Sequence, residues 1–240
     1  MARRTRVPFS PLRSGEHALV GEPAHYLGRV LRLRVGAELT AFDPAARLEA
    51  EMTLVAVEKE RVVARFSEPT PARVVGLRGV TLVQCAGKGD KVEEVIRAAT
   101  ALGASTIVLA ESERSVTRGA PTPGRVARLE AVALDAARQS GRGDLPALAG
   151  PLSLDAALAA LDQDALKLCL QPSAERALGS ELRERGGRPL VLLVGPEGGF
   201  SDAELAAVRE RGFTLVRFGS LVLRTELAGA AALGAVVALH

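Results

Sequence analysis

Leu190-Val191-Leu192-Leu193-Val194-Gly195-Pro196-Glu197-Gly198-Gly199-Phe200-Ser201-Asp202-Ala203-Glu204 is the stretch on which the fold turns. Its first five residues are apolar without interruption, which reads as a strand buried on both faces, as in a parallel sheet. Ser201 and Glu204 stand at capping-box spacing, so a helix begins at Asp202. Strand, glycine-rich turn and helix in direct succession are the repeating unit of an α/β domain. The same alternation extends outward on both sides. Strands are expected at Val80–Cys85, 106–110, Leu166–Leu170 and 214–218. Helices are expected over 91–102, 125–139, 154–161, 202–211 and 225–239, with Gly103, Gly141 and Gly212 just past three of their ends.

Upstream the pattern changes. Residues 38–42, 48–57 and 61–66 alternate apolar and polar, as strands with one buried face do, and Glu68-Pro69-Thr70-Pro71 reads as a linker. The chain therefore divides into a small β-rich domain over 1–71 and an α/β domain over 72–240. Before the first of these strands, Pro23 can open a short helix over 23–31 in which His25, Arg29 and Arg32 fall at i, i+4 and i+7 on one face. A solvated surface and a phosphate-gripping stripe fit that face equally well. Up to Arg34 the chain carries seven arginines (Arg3, Arg4, Arg6, Arg13, Arg29, Arg32 and Arg34) against two acids, Glu16 and Glu22, a pattern that faces a polyanion although the net charge is only +3.

With 48% hydrophobic residues in 240, the chain can build packed cores. Its longest apolar stretch, 229–239, is too short to cross a bilayer, and the basic start has no apolar run behind it, so a cytoplasmic protein without a membrane partner is expected. Cys85 and Cys169 each sit inside an apolar strand, away from the three scattered histidines. They read as buried thiols, with no metal site.

Three motifs could carry chemistry. Gly87-Lys88-Gly89, between a strand and a helix with Glu111 further on, superficially matches a dinucleotide-binding turn, but the position of its third glycine is Val92. The loop Gly195 to Phe200 lies at a helix N-terminus, where phosphate often binds, yet it offers no cation and its Glu197 repels a polyphosphate. It suits a neutral or cationic small molecule better. The segment Phe218-Gly219-Ser220-Leu221-Val222-Leu223-Arg224-Thr225-Glu226 sets an apolar loop beside Arg224 at the mouth of the sheet, a pocket fit for an adenine or another base. In the helix that follows, Ala228, Ala231, Ala232 and Ala235 form a smooth stripe that suits a core helix and a dimer interface alike.

These residues resemble the SPOUT superfamily of knotted methyltransferases and, within it, the RsmE family, which methylates N3 of a uridine, number 1498, in 16S ribosomal RNA. The resemblance spans essentially the whole chain. It runs through His25 to Arg32, Lys88-Gly89-Asp90-Lys91 with Leu102-Gly103, Ser112-Glu113-Arg114-Ser115, and Gln139-Ser140-Gly141-Arg142 with Pro146. It is sharpest in Gly195-Pro196-Glu197-Gly198-Gly199 followed by Leu223-Arg224-Thr225-Glu226. Departures are Ala101 for a usual acid, Ser220-Leu221 for a common Pro-Arg, and Leu227 for a common threonine.

The resemblance implies a PUA-like β-barrel for RNA binding followed by a trefoil-knotted α/β domain. It implies S-adenosylmethionine as cofactor, held by Leu170, Gly195, Pro196, Glu197, Gly198, Phe218, Gly219, Leu221, Leu223 and Thr225. Arg224 is then the catalytic residue, and Arg3, Arg4, Arg6, His25, Arg29, Arg32, Arg114 and Arg142 are the candidates for contact with 16S rRNA or the small ribosomal subunit. A homodimer through the knotted domain is implied as well. A competing reading is a non-catalytic dimeric RNA-binding protein, and failure to bind S-adenosylmethionine is the result that would favour it.

Overall fold

The computed structural model describes residues 4–85, 90–115 and 122–240, so Arg3 and the Gly87-Lys88-Gly89 turn lie outside the described residues. By compactness the chain forms two units, Met1–Val75 with Ala137–Leu145, and Gly76–Ala136 with Pro146–His240.

The first unit is built on strands β1 (Arg6–Pro8), β2 (Gly15–Val20), β3 (Glu38–Asp43), β4 (Leu48–Val57), β5 (Arg61–Phe66) and β6 (Thr70–Pro71), ordered β1-β3-β4-β5-β2 with β6 paired to β4. Alternation does what the pattern demands: Leu39, Ala41, Ala50, Met52, Leu54, Val62, Ala64 and Phe66 turn inward and pack with Leu19 and Leu27. Thr70 and Pro71, expected as linker, pair with Glu49 and Leu48 instead.

The expected helix over 23–31 is corrected. An α-helical turn, α1 (Glu22–His25), widens into a π-helical turn over Tyr26–Val30, with Leu31 N–H donating to the Tyr26 carbonyl at 2.9 Å. Arg32 lies beyond it with φ of 51°, so it does not continue a face set by His25 and Arg29. Leu27 is buried by the wider turn, and Tyr26, Leu31 and Leu33 pack at the rim of the same core.

The segment 137–145 packs with this unit through close contacts. Gly143 N–H donates to the Val74 carbonyl at 2.8 Å, and the buried Arg142 donates from Nε to Asp144 Oδ1 at 2.6 Å. A Cβ at Gly143 would lie 2.3 Å from the Ala72 Cβ, too close for any side chain.

The second unit carries β7 (Val80–Cys85), α2 (Asp90–Ala101), β8 (Thr106–Glu111), α3 (Pro123–Ser140), β9 (Ala147–Ser153), α4 (Leu154–Ala159), β10 (Leu166–Leu170), β11 (Arg176–Ala177), α5 (Leu178–Arg183), β12 (Leu190–Val194), α6 (Asp202–Glu210), β13 (Thr214–Arg217) and α7 (Thr225–Ala238). Its strands are all parallel, in the order β11-β13-β10-β12-β7-β8-β9. Residues alternate between two cores. Leu82, Leu168, Leu190 and Leu192 face side chains from α2, α3, α5 and α7, whereas Val83, Cys85, Cys169 and Leu193 face α4 and α6. Burial on both faces is why these strands read as unbroken apolar runs. Strand β9, broken in pattern by Gly150 and Pro151, sits at the sheet edge where proline is tolerated. After β13 the chain returns across the sheet, and α7 packs on β7 and β12, with Gly229 against Leu82 and Gln84.

Two outcomes follow from this packing. Gly143→Ala should destabilise the first unit by about 1–3 kcal/mol in urea unfolding, the usual cost of overfilling a tight contact. Burial pushes both the Cys85 and Cys169 thiols up from 9.0 to about 12. A thiol held neutral in the fold but free to ionise when unfolded stabilises the fold below about pH 9 and loses that contribution between about pH 9 and 12. Urea midpoints should therefore fall above about pH 9, and fall less when both cysteines are replaced by alanine.

Candidate active site

The carboxyl ends of β10 and β12, together with the segment after β13, enclose a cleft of about 620 Å3. Open parallel sheets bind ligands at this end. Its walls come from three loops and the start of α7. After β10, Leu170, Gln171 and Pro172 are held by Gln171 N–H donating to the Val216 carbonyl at 2.8 Å and by Arg217 Nη1 donating to the Ala174 carbonyl at 3.2 Å.

After β12 comes the glycine loop. Phe200 is buried beneath Gly195, and a Cβ there would lie 2.9 Å from the Phe200 ring, so this position has room only for glycine. The capping box anticipated from Ser201 and Glu204 is present, with Ser201 N–H donating to Glu204 Oε2 at 2.8 Å and Glu204 N–H donating to Ser201 Oγ at 3.3 Å. The other Glu204 oxygen accepts from Glu113 N–H at 2.7 Å, and Arg114 Nη1 donates to the Gly198 carbonyl at 3.1 Å. The turn Ser112 to Ser115 thus braces the glycine loop from behind.

The third wall runs from Phe218 into α7, and one relay joins it to the second. Thr225 Oγ1 donates to the Gly195 carbonyl and accepts from Gln84 Nε2 at 2.9 Å. Thr225 and Gln84 are both buried. A hydroxyl with a single proton thereby ties the end of β7, the glycine loop and the first turn of α7 together.

Charge at the cleft is mixed. Lys91 hydrogen-bonds Glu197, and that bond raises the lysine above and holds the carboxylate below their ordinary ranges. Glu226 lies 3.9 Å from the same ammonium. Arg224 is exposed at the N-cap of α7 and lines the cleft with Leu221, Val222 and Leu223.

Of the residues expected to hold a cofactor, Leu170, Gly195, Pro196, Glu197, Phe218, Leu221, Leu223 and Thr225 line this cleft together with Arg224, whereas Gly198 and Gly219 do not. Sequence reasoning missed Gln84, Lys91, Phe200 and Glu226 as site residues. Gln84 had a visible signal, one amide in a mostly apolar strand, and Lys91, Phe200 and Glu226 stood inside the quoted motifs without being assigned a role.

The expected RNA-facing set separates by burial. Arg142 is buried on Asp144, and Arg6 is half-buried, donating to Glu49 Oε2 at 3.1 Å and lying over the Phe42 ring. Both are corrected: their guanidinium groups are spent on internal pairs. Arg4 is exposed but paired with Glu38 and Glu51, and Arg114 is spent on Gly198. His25, Arg29 and Arg32 remain exposed.

Comparison with known proteins agrees with this geometry. The family model for the RNA methyltransferase domain matches residues 77–237. The ribosomal RNA small subunit methyltransferase E of Mycobacterium bovis is 34% identical over 226 residues, covering 90% of this chain and 84% of the relative. That of Bacillus subtilis is 28% identical, covering 91% and 88%. Among solved structures, the small subunit methyltransferase E of Neisseria gonorrhoeae bound to S-adenosylmethionine superposes with a TM-score of 0.88 at 28% identity, covering 99% of this chain and 98% of that one. A Legionella pneumophila methyltransferase with bound S-adenosylmethionine does so at 0.85, also with 28% identity and with the same coverage.

The relay gives a direct test. Thr225→Val, which keeps the shape but deletes the hydroxyl, strands the Gly195 carbonyl and the Gln84 amide and should cost about 1–3 kcal/mol in chemical unfolding, while Thr225→Ser stays near the wild type.

Proposed function

Because the chain belongs to the RNA methyltransferase family, and within it to the group of small subunit methyltransferase E proteins, we propose that it methylates N3 of a uridine in 16S rRNA with S-adenosylmethionine. The observation that carries this reading is the cleft in which the Gly195 loop and the Leu223-Arg224-Thr225-Glu226 segment meet. Its apolar residues suit an adenosine, its size falls in the range of small-molecule sites, and its exposed carboxylate Glu197 suits a ligand that bears positive charge. When bound, S-adenosylmethionine supplies an electrophilic methyl group on a positively charged sulfur.

What the chain's own residues contribute is position and field. The three loops hold the two reactants in line, which removes much of the entropic barrier to a bimolecular transfer. Negative charge develops on the uracil oxygens as the N3 proton leaves, and Arg224 at the cleft wall stabilises it. Lys91 orders the glycine loop by holding Glu197. No polyphosphate-binding cation stands in that loop, in keeping with a cofactor that carries none.

The finer architecture belongs to the same reading. The return of α7 from β13 across the sheet to β7 supports a trefoil knot, and the mostly antiparallel sheet of the first unit supports a PUA-like RNA-binding module that grips phosphate through His25, Arg29 and Arg32. Exposed Leu227 and Val237 on α7 support pairing of two copies through that helix in a cytoplasmic homodimer.

Mass mapping of 16S rRNA or small subunits treated with the purified protein and labelled cofactor should find the methyl group on uridine N3. Arg224→Ala should leave cofactor affinity by calorimetry near that of the wild type and lower turnover by about 10²–10³-fold, the cost of losing one donor to a developing oxyanion. Unchanged turnover removes Arg224 from the mechanism, and absence of cofactor binding by the wild type favours a non-catalytic RNA-binding protein.

A further inference from the structure

The two carboxylates of the cleft are not equivalent. Glu197 is half exposed and hydrogen-bonded to Lys91, a bond that lowers its affinity for a proton. Glu226 has only 14% of its side chain exposed, and its nearer oxygen is 3.9 Å from the Lys91 ammonium, beyond hydrogen-bond reach. Its other oxygen, Oε2, is shielded from solvent and has no hydrogen-bond partner among the described residues. Folding has stripped this oxygen of water without giving it a donor among the described residues, a costly arrangement that persists where a group has a task.

Its neighbour sharpens the point. Arg224 and Glu226 lie two residues apart and both line the cleft. The imide edge of uracil presents an acceptor, a donor and an acceptor in a row, which a guanidinium beside a carboxylate complements. Cytosine carries a lone pair at N3 in place of the hydrogen, and a carboxylate repels it.

We propose that Glu226 is the catalytic base that takes the N3 proton of uracil, an inference that rests on the uridine-N3 reading given above. The N3–H bond breaks and leaves its electron pair on nitrogen, while the proton passes to a Glu226 oxygen. The nitrogen pair forms the bond to the methyl carbon, and the carbon–sulfur bond breaks with its pair going to sulfur, which becomes neutral. Glu226 then releases the proton to water.

The test uses small ribosomal subunits assembled on transcribed 16S rRNA containing either uridine or 5-fluorouridine, whose N3 proton is more acidic. Glu226→Gln keeps the size of the side chain and removes the base. Cofactor affinity by calorimetry should stay close to the wild type, single-turnover methyl transfer to uridine should fall by about 100-fold or more, and most of that loss should be recovered on 5-fluorouridine. Transfer near the wild-type rate, or an equal loss on both substrates, overturns the proposal. Should Glu226→Gln fail to fold, Glu226→Asp carries the test: withdrawing the carboxylate by one methylene should slow transfer to uridine more than to 5-fluorouridine, and equal slowing overturns it. A wild-type product methylated elsewhere than uridine N3 sinks the underlying reading instead, so the two failures are distinguishable.

Discussion

Thr225 has one hydroxyl proton to give, and it gives it to the carbonyl of Gly195 while its lone pair receives the amide of Gln84. Three segments far apart in sequence are fixed by that single group. Gln84 is at the end of β7, Gly195 follows β12, and Thr225 begins α7. Without this junction the glycine loop and the Arg224 segment would be two surface turns with no reason to share a ligand. The junction is buried, so water cannot substitute for the missing partner if any of the three is lost.

Much of the α/β architecture was legible because its physics is local. Strands buried on both faces must be apolar throughout, and Val80–Cys85, Leu166–Leu170 and Leu190–Val194 were read to the residue. Glycines past helix ends fixed several boundaries to within a residue or two. What escaped was set by distant partners. β1 is a short strand that exists because β3 lies beside it, and β11 exists because β13 does. The π-helical turn at Tyr26–Val30 was invisible for a similar reason, since a 3.6-residue period was assumed where packing of Leu27, Leu31 and Leu33 sets a wider one.

The site was legible in part, through its motifs rather than its pattern. A glycine loop and an Arg-Thr-Glu segment announce themselves, and eight expected cofactor residues do line one cleft. Charge was the weaker guide. Arg6 and Arg142 were candidates for RNA contact, yet each is folded into an internal ion pair: Glu49 meets Arg6 from another strand of the sheet, and Asp144 stands two residues from Arg142. Lys91 and Glu226 stood inside quoted motifs without a role, because nothing in either motif reveals that the two come within a few ångströms of each other.

One feature of chain order bears on how the protein is made. The first compact unit is completed by Ala137–Leu145, which leaves the ribosome only after β7, α2, β8 and most of α3 have been synthesised. The amino-terminal sheet must therefore wait, with the surface that receives Gly143 uncovered, while strands of its neighbour are already emerging. Nascent β7 likewise stays without β12, its partner on one side, until most of the chain is out. Each unit thus depends on late-arriving residues, and vectorial synthesis cannot finish one before starting the other.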